Sequence, residues 1–304
     1  NNFSVISFDN LIYDQKRISG LDDDENFQFI KGNLLDHTLL EHSLNGIFGI
    51  IILAGLVGDP ITKRYPKLSD DINYTGIKKA IDLSIVKKVN RIIFVSTCSN
   101  YGLIKDNETA DENFVLNPLS KYAKAKVDIE KYILSKRNKV DSCITIFRFA
   151  TAFGLSTRMR YDLTVNEFTR EIFNKRNLEV YDPDTWRPYC HVDDFADLLN
   201  LAVNTEENKI NFEVFNAGID SNNFTKRMIV EKIQELIPSD TVQFINKTGT
   251  DPRNYRVNFS KLKNHLGFQC KISVEDGIKE IIDHLDNDNN DDKNSQLGNY
   301  QVRL

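Results

Sequence analysis

Three short and almost uninterrupted apolar runs limit the fold of this chain more than any other feature of its sequence. They span residues 49–53, 91–95 and 143–149, and the stretches between them are long enough to form helices. A short run that is apolar throughout is typical of a strand with both faces buried in a parallel sheet. Strands that alternate with helices at this spacing predict an α/β fold with helices on both faces of the sheet.

Other segments continue the same alternation. We predict further strands at residues 3–8, 27–31, 212–216 and 242–245, and helices at about 36–44, 74–88, 121–136, 195–203, 225–236 and 274–285. Residues 286–304 begin with a run of almost only Asp and Asn. We expect this tail to be disordered, because such a composition cannot bury enough apolar surface.

Composition and charge argue against several classes of function. The 304 residues carry a net charge of −5 without a long basic run, which does not indicate a nucleic-acid-binding protein. No apolar segment approaches the roughly 20 residues that span a bilayer, and nothing resembles a signal peptide. The four cysteines, at positions 98, 143, 190 and 270, lack the spacing of a zinc site or a disulfide framework and fit a reducing cytoplasm.

Residues 96–126 contain the groups best suited to catalysis. Tyr122 and Lys126 are four residues apart at the start of an alanine- and lysine-rich segment that favours a helix. Residues at this spacing lie on one helix face, so the phenol and the ammonium would point into the same space. The cation would favour the phenolate and lower the tyrosine pKa from its usual value of about 10. Thr97 adds a hydroxyl, and the three groups together can move a proton on and off a sugar hydroxyl or carbonyl.

Two further strand ends are compatible with a bound nucleotide. Asp9 ends the first predicted strand, where nucleotide-binding α/β units use an acid to hold a ribose hydroxyl. Asp9 and Asn10 are equally well explained as an ordinary turn. The small residues Ala54 and Gly55 follow the run 49–53 and would let a ligand approach the backbone, but most turns between a strand and a helix tolerate small residues.

Three motifs carry a resemblance to a known family. They are STCSNYG at 96–102, YAKAK at 122–126 and RPYCHVDD at 187–194. Together they resemble the extended short-chain dehydrogenases/reductases, the nucleotide-sugar epimerases and dehydratases, over nearly the whole chain to about residue 285. The resemblance implies a Rossmann-like doubly wound parallel sheet with a smaller C-terminal α/β domain for the substrate.

The resemblance also implies a division of the chain and a partner. The NAD-binding domain would comprise residues 1–154 and about 187–219, and the nucleotide-sugar domain about 155–186 and 220–285. The family further implies a homodimer through the helices at 74–88 and 121–136.

One part of the family pattern is missing. The family begins with a strand and a G-x-x-G-x-x-G turn that holds the cofactor pyrophosphate, whereas this sequence starts at what would be the second strand. We therefore interpret the sequence as part of a longer protein. We expect the missing strand in the middle of the sheet, between the strands at 3–8 and 91–95. A chain that truly lacks this unit is predicted to bind little or no NAD.

Matching positions imply roles on the cofactor side. Asp9 would accept hydrogen bonds from the adenosine ribose hydroxyls, and its charge would repel a 2′-phosphate, which favours NAD over NADP. The other cofactor-binding residues implied by the resemblance are Asn10, Asn33, Leu34, Leu53, Ala54, Gly55, Asn73, Tyr122 and Lys126.

The resemblance makes Thr97, Tyr122 and Lys126 the catalytic triad. Tyr122 would act as acid and base, Lys126 would hold the nicotinamide ribose, and Thr97 would bond the substrate oxygen. The substrate-binding residues that it implies are Thr151, Arg160, Asp162, Leu163, Arg187 and Arg253. Arginine suits a diphosphate because its planar guanidinium makes bidentate, charge-assisted hydrogen bonds. A surface ion pair is the alternative for Arg187, and turn chemistry is the alternative for Arg253.

The step that follows oxidation of a sugar hydroxyl is left open. Dehydratases of the family carry Asp-Glu directly after the triad threonine, and Cys98 and Ser99 cannot do the work of carboxylates. A 4-dehydrogenase, a 4-epimerase and a reductase remain. Phrases that favour the 4-dehydrogenase lie at 9–15, 56–60, 158–166 and 223–227. A dinucleotide-binding module without turnover is the alternative from a different class.

Overall fold

The apolar runs at the centre of the chain form strands, as the sequence predicts. The computed structural model describes residues 3–13, 21, 23–246, 253–287, 298–299 and 301–302. Its strands are β1 (Val5–Asp9), β2 (Phe27–Lys31), β3 (Gly49–Ile52), β4 (Arg91–Thr97), β5 (Cys143–Phe149), β6 (Thr151–Phe153), β7 (Leu178–Tyr181), β8 (Trp186–His191), β9 (Val214–Ala217), β10 (Asn223–Thr225) and β11 (Val242–Ile245).

The helices fill the intervals between these strands. They are α1 (His37–Ser43), α2 (Asp59–Arg64), α3 (Pro66–Asp70), α4 (Ile77–Val86), α5 (Lys121–Leu134), α6 (Thr164–Phe173), α7 (Val192–Asn204), α8 (Glu207–Ile210), α9 (Lys226–Leu236), α10 (Ser260–Leu266) and α11 (Val274–Asn287). A π-helical turn spans Asp71–Gly76, and 3-10 turns span Cys98–Tyr101 and Asp220–Asn222. Among the described helices, none is long and apolar enough to cross a membrane.

The main sheet consists of parallel strands in the order β3-β4-β5-β9. Side chains of β4 alternate between its two faces. Ile92 and Phe94 belong to an apolar cluster with residues of α4 and α5, whereas Ile93 and Val95 belong to another with residues of α7. Helices therefore cover both faces of the sheet, which explains why its strands are apolar throughout.

The strands β1 and β2 form a separate parallel pair. The rings of Phe3 and Phe48, which precede β1 and β3, stack with their centroids 6.1 Å apart. The expectation of a missing strand beside the run 91–95 is wrong. β3 pairs with one side of β4 and β5 pairs with the other, so β4 has no open edge.

A second group of elements packs around an apolar cluster of its own. β6, β8 and β10 form one small sheet, and β7 and β11 form a parallel pair. Helices α6, α9 and α11 contribute Val165, Ile229 and Ile278 to this cluster. β8 continues directly into α7, which packs on the main sheet, so this connection fixes the second group relative to the first.

Two element boundaries differ from the prediction. The helix predicted at 74–88 begins as the π-helical turn and becomes α4 only at Ile77. The strand predicted at 212–216 starts at Val214, because Phe212 has a backbone φ of 55°, which lies outside the strand region.

Parts of the tail that we expected to be disordered make specific contacts. Asp286 and Asn287 complete α11. The backbone N–H of Asn299 donates to Asp162 Oδ2 at 3.1 Å, and Val302 packs against an apolar cluster that contains Leu56. These contacts differ from the prediction of disorder. Residues 288–297, 300, 303 and 304 lie outside the described part of the chain.

Gly102, at the end of the STCSNYG motif, lies close to the backbone of the segment before α5. Its φ is +71°, and a Cβ atom on it would lie 1.9 Å from the carbonyl oxygen of Asn117. Gly46 has a φ of +72° but nothing within 4 Å of such a Cβ. We expect Gly46→Ala to lower the free energy of unfolding by about 1 kcal/mol, the cost of left-handed backbone. Gly102→Ala should lower it several times as much, because the backbone of Asn117 has to move.

Urea unfolding of the two alanine variants measures this difference directly. Equal losses of stability would show that the contact between Gly102 and Asn117 does not constrain the fold.

Candidate active site

The helix α5 brings the tyrosine and the lysine of the motif together. It begins after Ser120, whose side chain accepts a hydrogen bond from Ala123 N at 3.1 Å. Lys126 Nζ lies 5.7 Å from the centre of the Tyr122 ring and 4.7 Å from the centre of the Phe94 ring. The two residues therefore share one helix face, as their spacing predicts.

The ammonium of Lys126 is buried against the end of β4. Its Nζ donates to the carbonyl oxygen of Val95 at 2.7 Å, and the whole residue is 2% exposed. Burial lowers the pKa of Lys126 to about 7, although the carboxylate of Glu130 acts in the opposite direction. A lysine with this pKa changes its charge near neutral pH, which is typical of functional sites.

Thr97 is the last residue of β4 and caps the 3-10 turn that follows. Its Oγ1 accepts a hydrogen bond from Ser99 N at 3.1 Å and donates to Ser99 Oγ at the same distance. Ser99 Oγ lies 3.3 Å from Tyr255 OH and accepts from Arg253 Nη1 at 3.4 Å. We call Thr97, Ser99, Tyr255 and Arg253 the Ser99 cluster.

The sequence did not mark two members of the Ser99 cluster as site residues. Ser99 attracted notice only as a replacement for a carboxylate, and Tyr255 carried no signal at all. Burial raises the pKa of Tyr255, against the opposing effects of Arg187 and Arg253, so the phenol keeps its proton at neutral pH. Tyr255 can therefore donate a hydrogen bond here but cannot act as a base.

Arg187, on β8, adds a second cation beside the Ser99 cluster. Its Nη1 donates to the carbonyl oxygens of Trp186 and Arg253, and its guanidinium lies 5.0 Å from the centre of the Tyr255 ring. Arg187 is only 6% exposed, which does not favour the surface ion pair given as its alternative. Two arginines that converge near the end of β4 are suited to bind an anion.

Arg160 and Asp162, two other predicted substrate contacts, are bonded to each other. Arg160 Nε and Nη2 donate to the two carboxylate oxygens at 2.6 and 2.7 Å. Burial alone would raise the pKa of Asp162, but Arg160 and the N–H of Asn299 hold it below its ordinary value. Asn299 is a further residue that the sequence did not mark. Thr151 begins β6, and Leu163 stands at the N-terminal end of α6.

The predicted cofactor residues follow the carboxyl ends of β1, β2 and β3. Asp9, Asn10 and Asn33 each accept, through a side-chain oxygen, a hydrogen bond from the backbone N–H two residues further on. Such bonds are also made by ordinary turns. Leu34 is partly buried and packs against the apolar cluster that contains residues of α4 and α5. Residues 14 and 15, the last two of the segment 9–15 named in the sequence analysis, lie outside the described part of the chain.

Asn73 shapes the loop after β3. Its Oδ1 accepts from Leu56 N at 2.8 Å, and its Nδ2 donates to Leu56 O at 3.0 Å. A Cβ atom on Gly55 would lie 2.9 Å from Asn73 Oδ1, so the loop has no room for a side chain there. Leu53 and Ala54 are exposed at the start of this loop. Asn73 therefore holds the backbone that we expect to approach the cofactor.

Sequence comparisons agree with this geometry. Residues 1–218 match the sequence model of the NAD dependent epimerase/dehydratase family. The chain is 24% identical over 289 residues to a UDP-glucuronate 4-epimerase of Thermodesulfobacterium geofontis, covering 92% of this chain and 87% of that protein. It is 25% identical over 290 residues to the low-salt glycan biosynthesis protein Agl12 of Haloferax volcanii, covering 92% and 90%.

Solved structures share the fold. The dTDP-glucose 4,6-dehydratase DesIV of Streptomyces venezuelae, solved with NAD and TYD, matches with a TM-score of 0.83 at 22% identity and covers 93% of this chain and 88% of its own. The UDP-glucuronic acid 4-epimerase of Bacillus cereus, in complex with UDP-glucuronic acid and NAD, matches with a TM-score of 0.82 at 23% identity, covering 93% and 90%. The α/β class predicted from the sequence is thereby confirmed.

The buried lysine gives a prediction about pH. Folding holds the pKa of Lys126 at about 7, below the value of about 10.4 for an unfolded lysine. The cost of burying the charge is therefore fully present below about pH 7 and disappears as the pH rises towards 10. We expect Lys126→Met to stabilise the nucleotide-free protein, and to do so more at about pH 6 than at about pH 9.5, as urea unfolding measures.

Lys124→Met is the matched control, because Lys124 is exposed on the same helix. It should change stability little at either pH. A gain from Lys126→Met that does not depend on pH would contradict a pKa near 7.

Proposed function

Because the chain belongs to the NAD dependent epimerase/dehydratase family, we propose that it is an enzyme that uses NAD to oxidise the C4 hydroxyl of a nucleotide-activated sugar. The observation that carries this proposal is that Tyr122 and Lys126 meet beside the end of β4, where Thr97 lies. Arg187 and Arg253 nearby supply the cations that suit a diphosphate. A dinucleotide-binding module without turnover would need neither the tyrosine nor the lysine.

The chain's own groups would handle the proton. With Lys126 charged, the phenol of Tyr122 gives up its proton more readily and can remove the proton of the sugar hydroxyl. Thr97 Oγ1 would hydrogen-bond the sugar oxygen and hold it towards Tyr122. When a keto-sugar is reduced, the same phenol would return the proton, so one tyrosine serves both directions.

The described residues fit NAD at the adenosine ribose and at the nicotinamide ribose. Asp9 would bond the adenosine ribose, and Lys126 would bond the nicotinamide ribose. The loop at Gly55, which has no room for a side chain, would let the pyrophosphate approach the backbone. NAD, when bound, supplies the acceptor for the hydride that leaves C4.

Within the family, we propose a 4-dehydrogenase first and a 4-epimerase second. The phrases at 56–60 and 158–166 resemble the GDP-D-glycero-D-manno-heptose 4-dehydrogenases, which favours GDP-heptose as the substrate. Similarity to a UDP-glucuronate 4-epimerase supports the second candidate equally. A dehydratase is disfavoured, because Ser99 is a hydroxyl and burial raises the pKa of Cys98, whose Sγ donates to Arg148 O.

We also propose a homodimer through α4 and α5, the helices that the family usually pairs between subunits. Val86, at the end of α4, is 72% exposed in the single chain, and Tyr74 just before this helix is 38% exposed.

Light scattering during size-exclusion chromatography should give the mass of two chains, and the mass of one chain would contradict the proposed homodimer. We further propose a cytoplasmic location, because the spacing of the four cysteines does not indicate a disulfide framework.

The catalytic proposal predicts that Tyr122→Phe loses turnover by roughly 10²- to 10⁴-fold, the usual contribution of a general acid–base. The assay incubates the full-length protein with GDP-, UDP- and dTDP-sugars and either NAD or NADP. It follows the reduced cofactor and identifies a 4-keto product or an inverted C4 centre by NMR. Tyr132→Phe is the matched control, because it removes a phenol hydroxyl from the same helix, one that bonds Asp82.

Three outcomes of this assay are decisive. Equal turnover by wild type and Tyr122→Phe would contradict the catalytic role of the phenol. Inversion at C4 without accumulation of reduced cofactor would select the epimerase over the dehydrogenase. A preference for NADP would contradict the role proposed for Asp9.

A further inference from the structure

Glu130 continues the face of α5 that carries Tyr122 and Lys126, one helical turn further on. The residue is 1% exposed. A carboxylate is rarely buried this completely unless it is paired and hydrogen-bonded, because desolvation of its charge is costly. The hydrogen-bond partners of this carboxylate therefore indicate its role.

The Glu130 carboxylate receives hydrogen bonds at both oxygens. Ser96 Oγ donates to Oε1, and Asn100 Nδ2 donates to the same atom at 2.7 Å. Arg148 on β5 donates from Nε and Nη2 to Oε2 at 3.1 and 2.7 Å. Ser96 immediately precedes Thr97, and Asn100 lies in the turn that Thr97 caps. One carboxylate thus holds the backbone on both sides of the triad threonine.

Glu130 is also the charged group that acts on Lys126. In the described part of the chain, no carboxylate lies within ion-pair distance of Lys126 Nζ, and Glu130 raises the pKa of Lys126 against the effect of burial. Arg148 is paired with Glu130 itself. Burial raises the pKa of Tyr101 and of Cys98 in the adjacent turn, so these groups stay neutral near pH 7.

We propose that Glu130 is a positioning residue for the reaction given under the proposed function, on which this inference rests: its carboxylate keeps Lys126 charged beside Tyr122 and fixes the end of β4 at Thr97. Without the carboxylate, the ammonium would lose the negative charge that raises its pKa and would release its proton at lower pH. The phenol would then lose the cation that favours the phenolate, and proton transfer would require higher pH. A merely structural carboxylate would change stability but not this pH dependence.

Glu130→Gln tests the proposal, because glutamine keeps the shape of the side chain and removes the charge. The pKa of Lys126 is read by NMR of protein with ¹⁵N-labelled lysine, and the missing signal in Lys126→Met assigns the resonance. We expect this pKa to fall by about one pH unit, a roughly tenfold change in the ratio of ammonium to amine. With the nucleotide sugar that turns over, the half-maximum of kcat/KM should move to higher pH, and kcat at neutral pH should fall more than KM changes.

Tyr101→Phe is the matched control. It removes a hydroxyl that accepts from Arg148 Nη1 at 3.0 Å and donates to Asn216 Oδ1 at 2.7 Å. The control therefore weakens the same buried network without removing a charge, and it should leave the titration of Lys126 and the pH profile as in wild type. If Glu130→Gln behaves like Tyr101→Phe in both measurements, Glu130 is only structural and the proposal is wrong.

A second variant covers the case in which Glu130→Gln does not fold. Glu130→Gln combined with Arg148→Met removes both members of the ion pair, a replacement that buried pairs often tolerate. The pKa of Lys126 should fall in this variant as well, and an unchanged value overturns the proposal. The titration of Lys126 does not depend on turnover. A protein that is inactive on every nucleotide sugar would contradict the proposed function, and the titration would still test the effect of Glu130 on Lys126.

Discussion

The packing of α5 against the end of β4 is the interaction on which the candidate site depends. Apolar contacts between a helix and a sheet are not directional, so they leave the helix some freedom to slide. Two buried charged residues of α5 fix its position, one as a hydrogen-bond donor and the other as an acceptor. Lys126 reaches the backbone of Val95, and one turn later Glu130 reaches residues on either side of Thr97. The position of the Tyr122 phenol relative to the strand end follows from these two anchors.

This arrangement lowers the free energy of unfolding, and the residues responsible lie at the proposed catalytic site. The ammonium of Lys126 is buried without a carboxylate at ion-pair distance in the described part of the chain, and its pKa of about 7 reflects the penalty. Gly102 adds a left-handed backbone that also lies close to Asn117. Two large apolar clusters on opposite faces of the main sheet offset these losses. Natural proteins commonly accept such local costs at sites that act on a ligand.

The sheet and the tyrosine–lysine pair could be predicted from sequence because both depend on short-range patterns. The three central strands β3, β4 and β5 are apolar on both faces. Tyr122 and Lys126 lie in the same helix, so their spacing alone places them on one face. The order of strands could not be predicted, since pairing of β3 with β4 is a tertiary choice that no local pattern encodes. For the same reason, nothing in the sequence placed Tyr255 beside Ser99, because 156 residues separate them. Asn299 was missed because its contact with Asp162 uses a backbone N–H, which composition does not reveal.

Ser99 bears on both the reaction and the ligand that we propose for this site. Its hydroxyl lies between Thr97 and Arg253, at 3.1 and 3.4 Å. A carboxylate at this position would form a charge-assisted bond with Arg253, stronger than any bond from a hydroxyl. Such a pair would compete with a diphosphate for the guanidinium. Serine forms no such charge-assisted bond with Arg253, so the residue that disfavours dehydration would also not compete with an anionic ligand for this guanidinium. In the proposed site, both properties would therefore follow from one serine.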